Sequence, residues 1–241
     1  MGSCNSGGKG GGGGTALGRG KVPQSISECT NFDELERYLT SRNITMSGTL
    51  RDLKFEETRN AMDGALFVLD EFGATSQLKG FGTKDSGVMC ATFGGDINFN
   101  KSYFREGTRD LSAVMNGSSF HPKNQNAYTT GAHEAGHILE AFIARKQSGD
   151  DWGARRLAWT NETVAKDIIN KCGTNVKKQY RSRGEKAPSL NFLVHSVSGY
   201  ASKSRSEAFA ECINDYVANG KNANALSIEV WNYTKNLMKT L

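Results

Sequence analysis

No stretch of the 241 residues approaches the roughly 18 consecutive apolar residues of a membrane-spanning helix, and the N-terminal stretch has no apolar core of the secretory-signal kind. The expectation is a protein with no transmembrane segment and no signal peptide, made in a reducing cytoplasm and, if it leaves a cell, carried by a non-classical route. Cysteine is sparse: five residues, at 4, 29, 90, 172 and 212, show neither Cys-x-x-Cys spacing nor a disulfide-framework pattern, so free thiols are expected. Charge of one sign is not concentrated either. The net charge of +5 is interspersed with acids, and the densest basic cluster, Lys177, Lys178, Arg181, Arg183 and Lys186, reads as a solvated helix face, so no specific nucleic-acid partner is expected. A phosphate-binding loop is missing as well, because Val22 follows Gly20-Lys21 where Ser or Thr is needed and Thr15 stands where the first glycine belongs.

What is present is a globular composition, 37% hydrophobic, behind a Gly-rich tail. Residues 1–21 cannot bury enough apolar surface to order themselves and are expected to be a flexible tail, in which Gly2, Cys4 and Ser6 fit a loose pattern for N-myristoylation beside a palmitoylation site. Residues 22–241 are expected to form one domain, with a helical part at 22–87, a core at 88–220 and a packing helix at 221–241. Helical periodicity predicts helices over about 32–42, capped by Thr30 or Asn31, and 56–72, closed by Gly73. From 73 to 126 the helical period gives way to glycines and short apolar runs. There, 88–93 reads as a buried strand and 96–99 as a shorter one after the Gly94-Gly95 turn. A helix or pair of helices is expected at about 161–183 after a break at 149–151, another from Ser202 to Gly220 with Ser204 or Ser206 as cap, and a last one over 225–241.

The pointed chemistry is His133-Glu134-Ala135-Gly136-His137. Four residues apart on a helix, His133 and His137 share a face and can offer two imidazole nitrogens to one tetrahedral Zn²⁺, with Glu134 beside it to take a proton from an activated water. With only 4 histidines and 14 glutamates in the chain, chance supplies about 0.004 such matches. The flanking residues, Ala132 to Ala144, are mostly small or apolar, as suits a buried helix with its histidine face turned to a cleft. A strand just before such a helix can border that cleft and pair with an extended peptide through backbone groups.

A catalytic zinc usually keeps three protein ligands and one open position, so two histidines are one short. Glu207, near the start of a later helix, is the best third ligand. Glu211, one turn on, is placed to accept the second N–H of a histidine ligand, His133 by preference. His121, twelve residues before His133, reads as a loop residue rather than a ligand, and Cys212 reads as a core thiol.

His-Glu-x-x-His followed by a helix carrying Glu-x-x-x-Asp/Glu resembles the gluzincin metallopeptidases, the thermolysin-like branch of the zincin fold. The closer likeness is to the anthrax lethal factor type of catalytic domain, matched here by Tyr200-Ala201 and by Glu207-Ala208-Phe209-Ala210-Glu211. The chain is also similar to the metallopeptidase-like domains attached to phage minor head proteins and polymorphic toxins, in which SGYA and EAFAE blocks occur together. The resemblance spans roughly residues 90–220. It implies an α+β, zincin-like fold, mainly helical with a small mixed sheet bordering the cleft. It also implies a zinc metallopeptidase acting on a protein or peptide substrate, in association with a phage head or a toxin assembly. Tyr200 becomes the hydroxyl that assists the oxyanion, a part for which His195 is the lesser candidate. The competing expectation is a non-catalytic, zinc-stabilised structural component of a phage particle or toxin delivery system, which a closed four-ligand site would mark.

Overall fold

The computed structural model describes residues 21–241 apart from Ser86 and Asp150. The acylation pattern at Gly2, Cys4 and Ser6 lies outside the described residues. Helix α1 (Phe32–Ser41) starts where Asn31 Oδ1 accepts the Glu34 N–H at 3.0 Å, and it buries Leu35, Tyr38 and Leu39. Thr30, the other expected cap, instead donates its N–H and hydroxyl to the Glu34 carboxylate. Helix α2 (Phe55–Glu71) presents Ala61, Met62, Ala65, Leu66, Val68 and Leu69 to the core, and Gly73 turns the chain away with a φ of 64°.

The sheet is built from four short strands, β1 (Thr45–Met46), β2 (Gly80–Thr83), β3 (Met89–Ala91) and β4 (Asp96–Phe99), in the order β1-β2-β4-β3. β1 and β2 pair in parallel, as do β2 and β4, whereas β3 runs antiparallel to β4. The sheet therefore crosses the division expected at 87/88, because β1 and β2 precede it and β2 pairs directly with β4. The 88–93 run also differs from the expected buried strand. It contributes an edge strand of three residues, with Cys90 and Ala91 half-buried. The strand stops at a tight turn in which Gly95 N–H reaches Thr92 O, and that turn releases Phe93 towards Trp152 and Trp159.

Short helices α3 (Lys101–Phe104) and α4 (Leu111–Asn116) occupy the segment where no helical period was legible. Asn126 then opens α5 (Ala127–Ser148) with a reciprocal pair of bonds to Thr129. α5 is the spine of the molecule and packs against α2 and against the later helices. The α2 crossing is unusually close: a Cβ on Gly131 would stand 1.7 Å from Ala61 O, so only glycine fits. After α5 come α6 (Trp152–Thr160), α7 (Thr163–Ser182), α8 (Leu190–Val197), α9 (Arg205–Asn219) and α10 (Ala225–Met238). α7 and α10 pack on α9, which lies across α5. The result is α+β, mostly helical, with one small mixed sheet at the side of α5. Among the described residues no helix is long and apolar enough to cross a membrane.

Candidate metal centre

Helix periodicity puts His133 and His137 on one face of α5, their rings 5.0 Å apart. α9 supplies the rest. Ser204 caps it by accepting the Glu207 N–H at 3.1 Å, which fixes Glu207 in the first turn. The Glu207 side chain does not fold back on the cap. Its Oε2 stands 3.2 Å from His133 Nε2 and 3.4 Å from His137 Nε2. Donor atoms around a tetrahedral zinc stand about 3.3 Å from one another at the usual zinc–ligand lengths.

Glu207 Oε2 is buried and makes no hydrogen bond, although both rings are within reach. Buried carboxylate oxygens left over in this way call for a partner, and two imidazoles with one carboxylate are a donor set that suits zinc. Among the described residues this is the group of metal-binding side chains that converges, its donor atoms all within 4.8 Å of one another.

What allows α9 so close is Gly136, inside the motif itself. A Cβ there would lie 2.9 Å from Ala210 Cα, so any side chain would push the glutamate-bearing helix off the histidine-bearing one. Ala208 and Ala210 are completely buried.

Glu211, one turn beyond Glu207 and 1% exposed, brings Oε1 to 2.8 Å from His133 Nδ1 and accepts the Ser198 hydroxyl at 2.7 Å. His121 Nδ1 stands 3.9 Å from the same Oε1. This histidine remains in a loop, as expected, yet it faces the site from behind Glu211. Burial by itself would raise both glutamates. Instead, His133 and His137 hold Glu207 far below the ordinary carboxylate range, and His121 and His133 hold Glu211 down to about 2. Burial would likewise lower His133, but Glu207 and Glu211 outweigh it and raise that imidazole well above its ordinary value. Glu207 raises His137 in the same sense.

Glu134 points to the sheet. Its Oε2 accepts the Ala91 N–H at 2.6 Å. Thr92 N–H bonds Asp96 O across the β3–β4 ladder, so the N–H one residue earlier faces the other way, from the edge of β3 opposite β4 to the site.

Tyr200 opens the 3-10 turn before α9 and is held by its N–H on Phe120 O at 2.8 Å. Its hydroxyl donates to Glu207 Oε1 at 3.3 Å, and its ring lies 5.7 Å from that of His133. Burial first, then the charges of Glu207 and Glu134, push the phenol up, so it remains a donor at neutral pH. His195 is not brought to the cluster: its Nδ1 lies 3.3 Å from Ser202 Oγ, on the wall of a cavity of about 840 Å³ that also includes Asp215. Cys212 is in the core.

Sequence reasoning missed Ser206 and Glu140. Ser206 Oγ lies 3.1 Å from His137 Nδ1 and donates to Glu140 Oε2 at 2.5 Å. The available signal was Glu140 itself, an acid inside the apolar run from Ile138 to Ile143. Trp159, whose ring is 6.3 Å from that of His137, was also missed. No protein-family model, curated protein or solved structure matches this chain.

Proposed function

We propose that the protein is a zinc-dependent endopeptidase of the gluzincin kind, with His133, His137 and Glu207 as the metal ligands. The observation that carries this reading is the buried, unpartnered Glu207 Oε2 facing two histidine Nε2 atoms at 3.2 and 3.4 Å. Zinc held by these three residues would supply Lewis acidity and lower the pKa of a water to about 7. Glu134 takes the proton of the attacking water and returns it to the leaving amine. The Tyr200 hydroxyl, which donates to the ligand Glu207, would turn to the carbonyl oxygen as charge develops there. Glu211 orients His133 through Nδ1.

The outward edge of β3 gives the substrate its place. An extended peptide laid along Met89–Ala91 would pair through backbone groups and take over the Ala91 N–H that Glu134 now accepts, a mode of recognition that tolerates many sequences. Three converging ligands among the described residues, rather than four, support a catalytic over a purely structural centre.

The test is digestion of a diverse peptide library by the zinc-loaded chain and by its Glu134→Gln variant. Both should hold one zinc, and only the wild type should cleave. Cleavage by the variant at the wild-type rate would remove Glu134 from the reaction.

A further inference from the structure

Glu140 takes no part in the chemistry described above, yet it is 1% exposed in an apolar stretch of α5. A buried carboxylate is tolerated only where its oxygens are satisfied. Both are. Oε1 accepts the Ala165 N–H at 3.3 Å, in the first turn of α7, and Oε2 accepts the Ser206 hydroxyl at 2.5 Å. A serine hydroxyl has one hydrogen to give, and here it goes to Glu140. With the Glu140 carboxylate ionised, only lone pairs are left on Ser206 Oγ for His137 Nδ1, 3.1 Å away, and the hydrogen of that contact is then carried by the imidazole nitrogen. An imidazole with its hydrogen on Nδ1 has its lone pair on Nε2, the atom that faces Glu207 Oε2.

We infer that Glu140, acting through the Ser206 hydroxyl, is the positioning group that fixes His137 as the Nδ1–H tautomer and so presents Nε2 to a metal. The inference rests on the metal-binding reading of the site and adds a second, separate relay to the Glu211–His133 contact. The relay is anchored at helix ends. Glu140 takes a first-turn N–H of α7, Glu162 just before α7 accepts the first N–H of α9 from Arg205 at 2.9 Å, and Ser206 in the first turn of α9 returns to Glu140. Three helices thus close a ring around the back of His137, which holds the ring orientation as well as the tautomer.

A Glu140 that only capped α7 would not need Ser206, and this separates the two roles. In Ser206→Ala the bond from Ala165 to Glu140, the Ser204 cap and the Glu162 contact all remain. The metal-free variant, which strips the buried Glu140 Oε2 of its donor, should unfold at a lower Tm than the wild type, and zinc affinity of the full chain, measured by competition with a chelator at a temperature where both are folded, should fall about 10-fold to 100-fold. Ser206→Thr, which keeps the hydroxyl, should restore it. Imidazole nitrogen NMR of the zinc-loaded wild type should show a slowly exchanging hydrogen on His137 Nδ1 that exchanges rapidly in Ser206→Ala. Equal zinc affinity in the wild type and Ser206→Ala, or a hydrogen on Nε2 and metal on Nδ1, would overturn the inference while leaving the metal centre intact. A wild type that takes up no zinc would overturn both.

Discussion

At the scale of single residues, the site is a set of acids and imidazoles that hold one another's charges in place. Tyr200 is the residue whose chemistry is most exposed to test. Its hydroxyl is spent on Glu207 Oε1 at 3.3 Å, a long bond that a better acceptor displaces. Tyr200→Phe should therefore lower kcat by about 10²-fold, in the range for losing one oxyanion donor, and leave KM and zinc content close to wild type. Steady-state kinetics with metal analysis of the same preparation checks this, and a loss of zinc would show that the phenol serves the ligand rather than the reaction.

The elements explain why some of this was legible in the sequence. His133 and His137 could be read because four residues on a helix return to one face, and Glu207 and Glu211 for the same reason, with Ser204 marking where their helix begins. The Ser206–Glu140 bond spans 66 residues. It follows only from knowing where α5 and α9 cross, and nothing local to either helix fixes that. β1 has two residues and β2 reads Gly-Phe-Gly-Thr, so neither carries the apolar run or alternation that marks β3 and β4. α6 buries none of its residues and carries Trp152 and Leu157 more than half exposed, so it is held by little core packing. The crossing itself depends on Gly136. Gly136→Ala should force α9 away from α5 by the few tenths of an ångström that the 2.9 Å approach lacks. Glu207 and Glu211 would move together, and zinc affinity should fall by about 10-fold or more while helix content by circular dichroism stays the same. Unchanged affinity would mean that α9 does not need this contact to deliver its glutamates.

For the whole molecule, the site couples stability to pH, its imidazoles and Glu211 acting in opposite directions in the metal-free protein, and zinc bound as proposed would add a contribution of its own. In a metal-free preparation the raised His133 and His137 stabilise the fold fully below their ordinary value of 6.5, and that contribution is lost as pH rises through their folded values. Glu211, held down to about 2 from 4.5, contributes above 4.5 and loses its contribution as pH falls towards 2. Zinc needs both imidazoles neutral and releases their protons, so its stabilisation grows with pH. The gap in Tm between zinc-loaded and metal-free protein should widen from pH 6 to pH 8 in thermal unfolding scans. A gap that narrowed over that range would place the metal elsewhere.

X-ray absorption at the zinc edge of the loaded full chain tests the central claim most directly. Two imidazoles, one carboxylate and one exchangeable oxygen from solvent are expected, the signature of a three-ligand centre with a position left for substrate. A sulfur scatterer, a third imidazole or a fourth protein ligand closing the shell would contradict it.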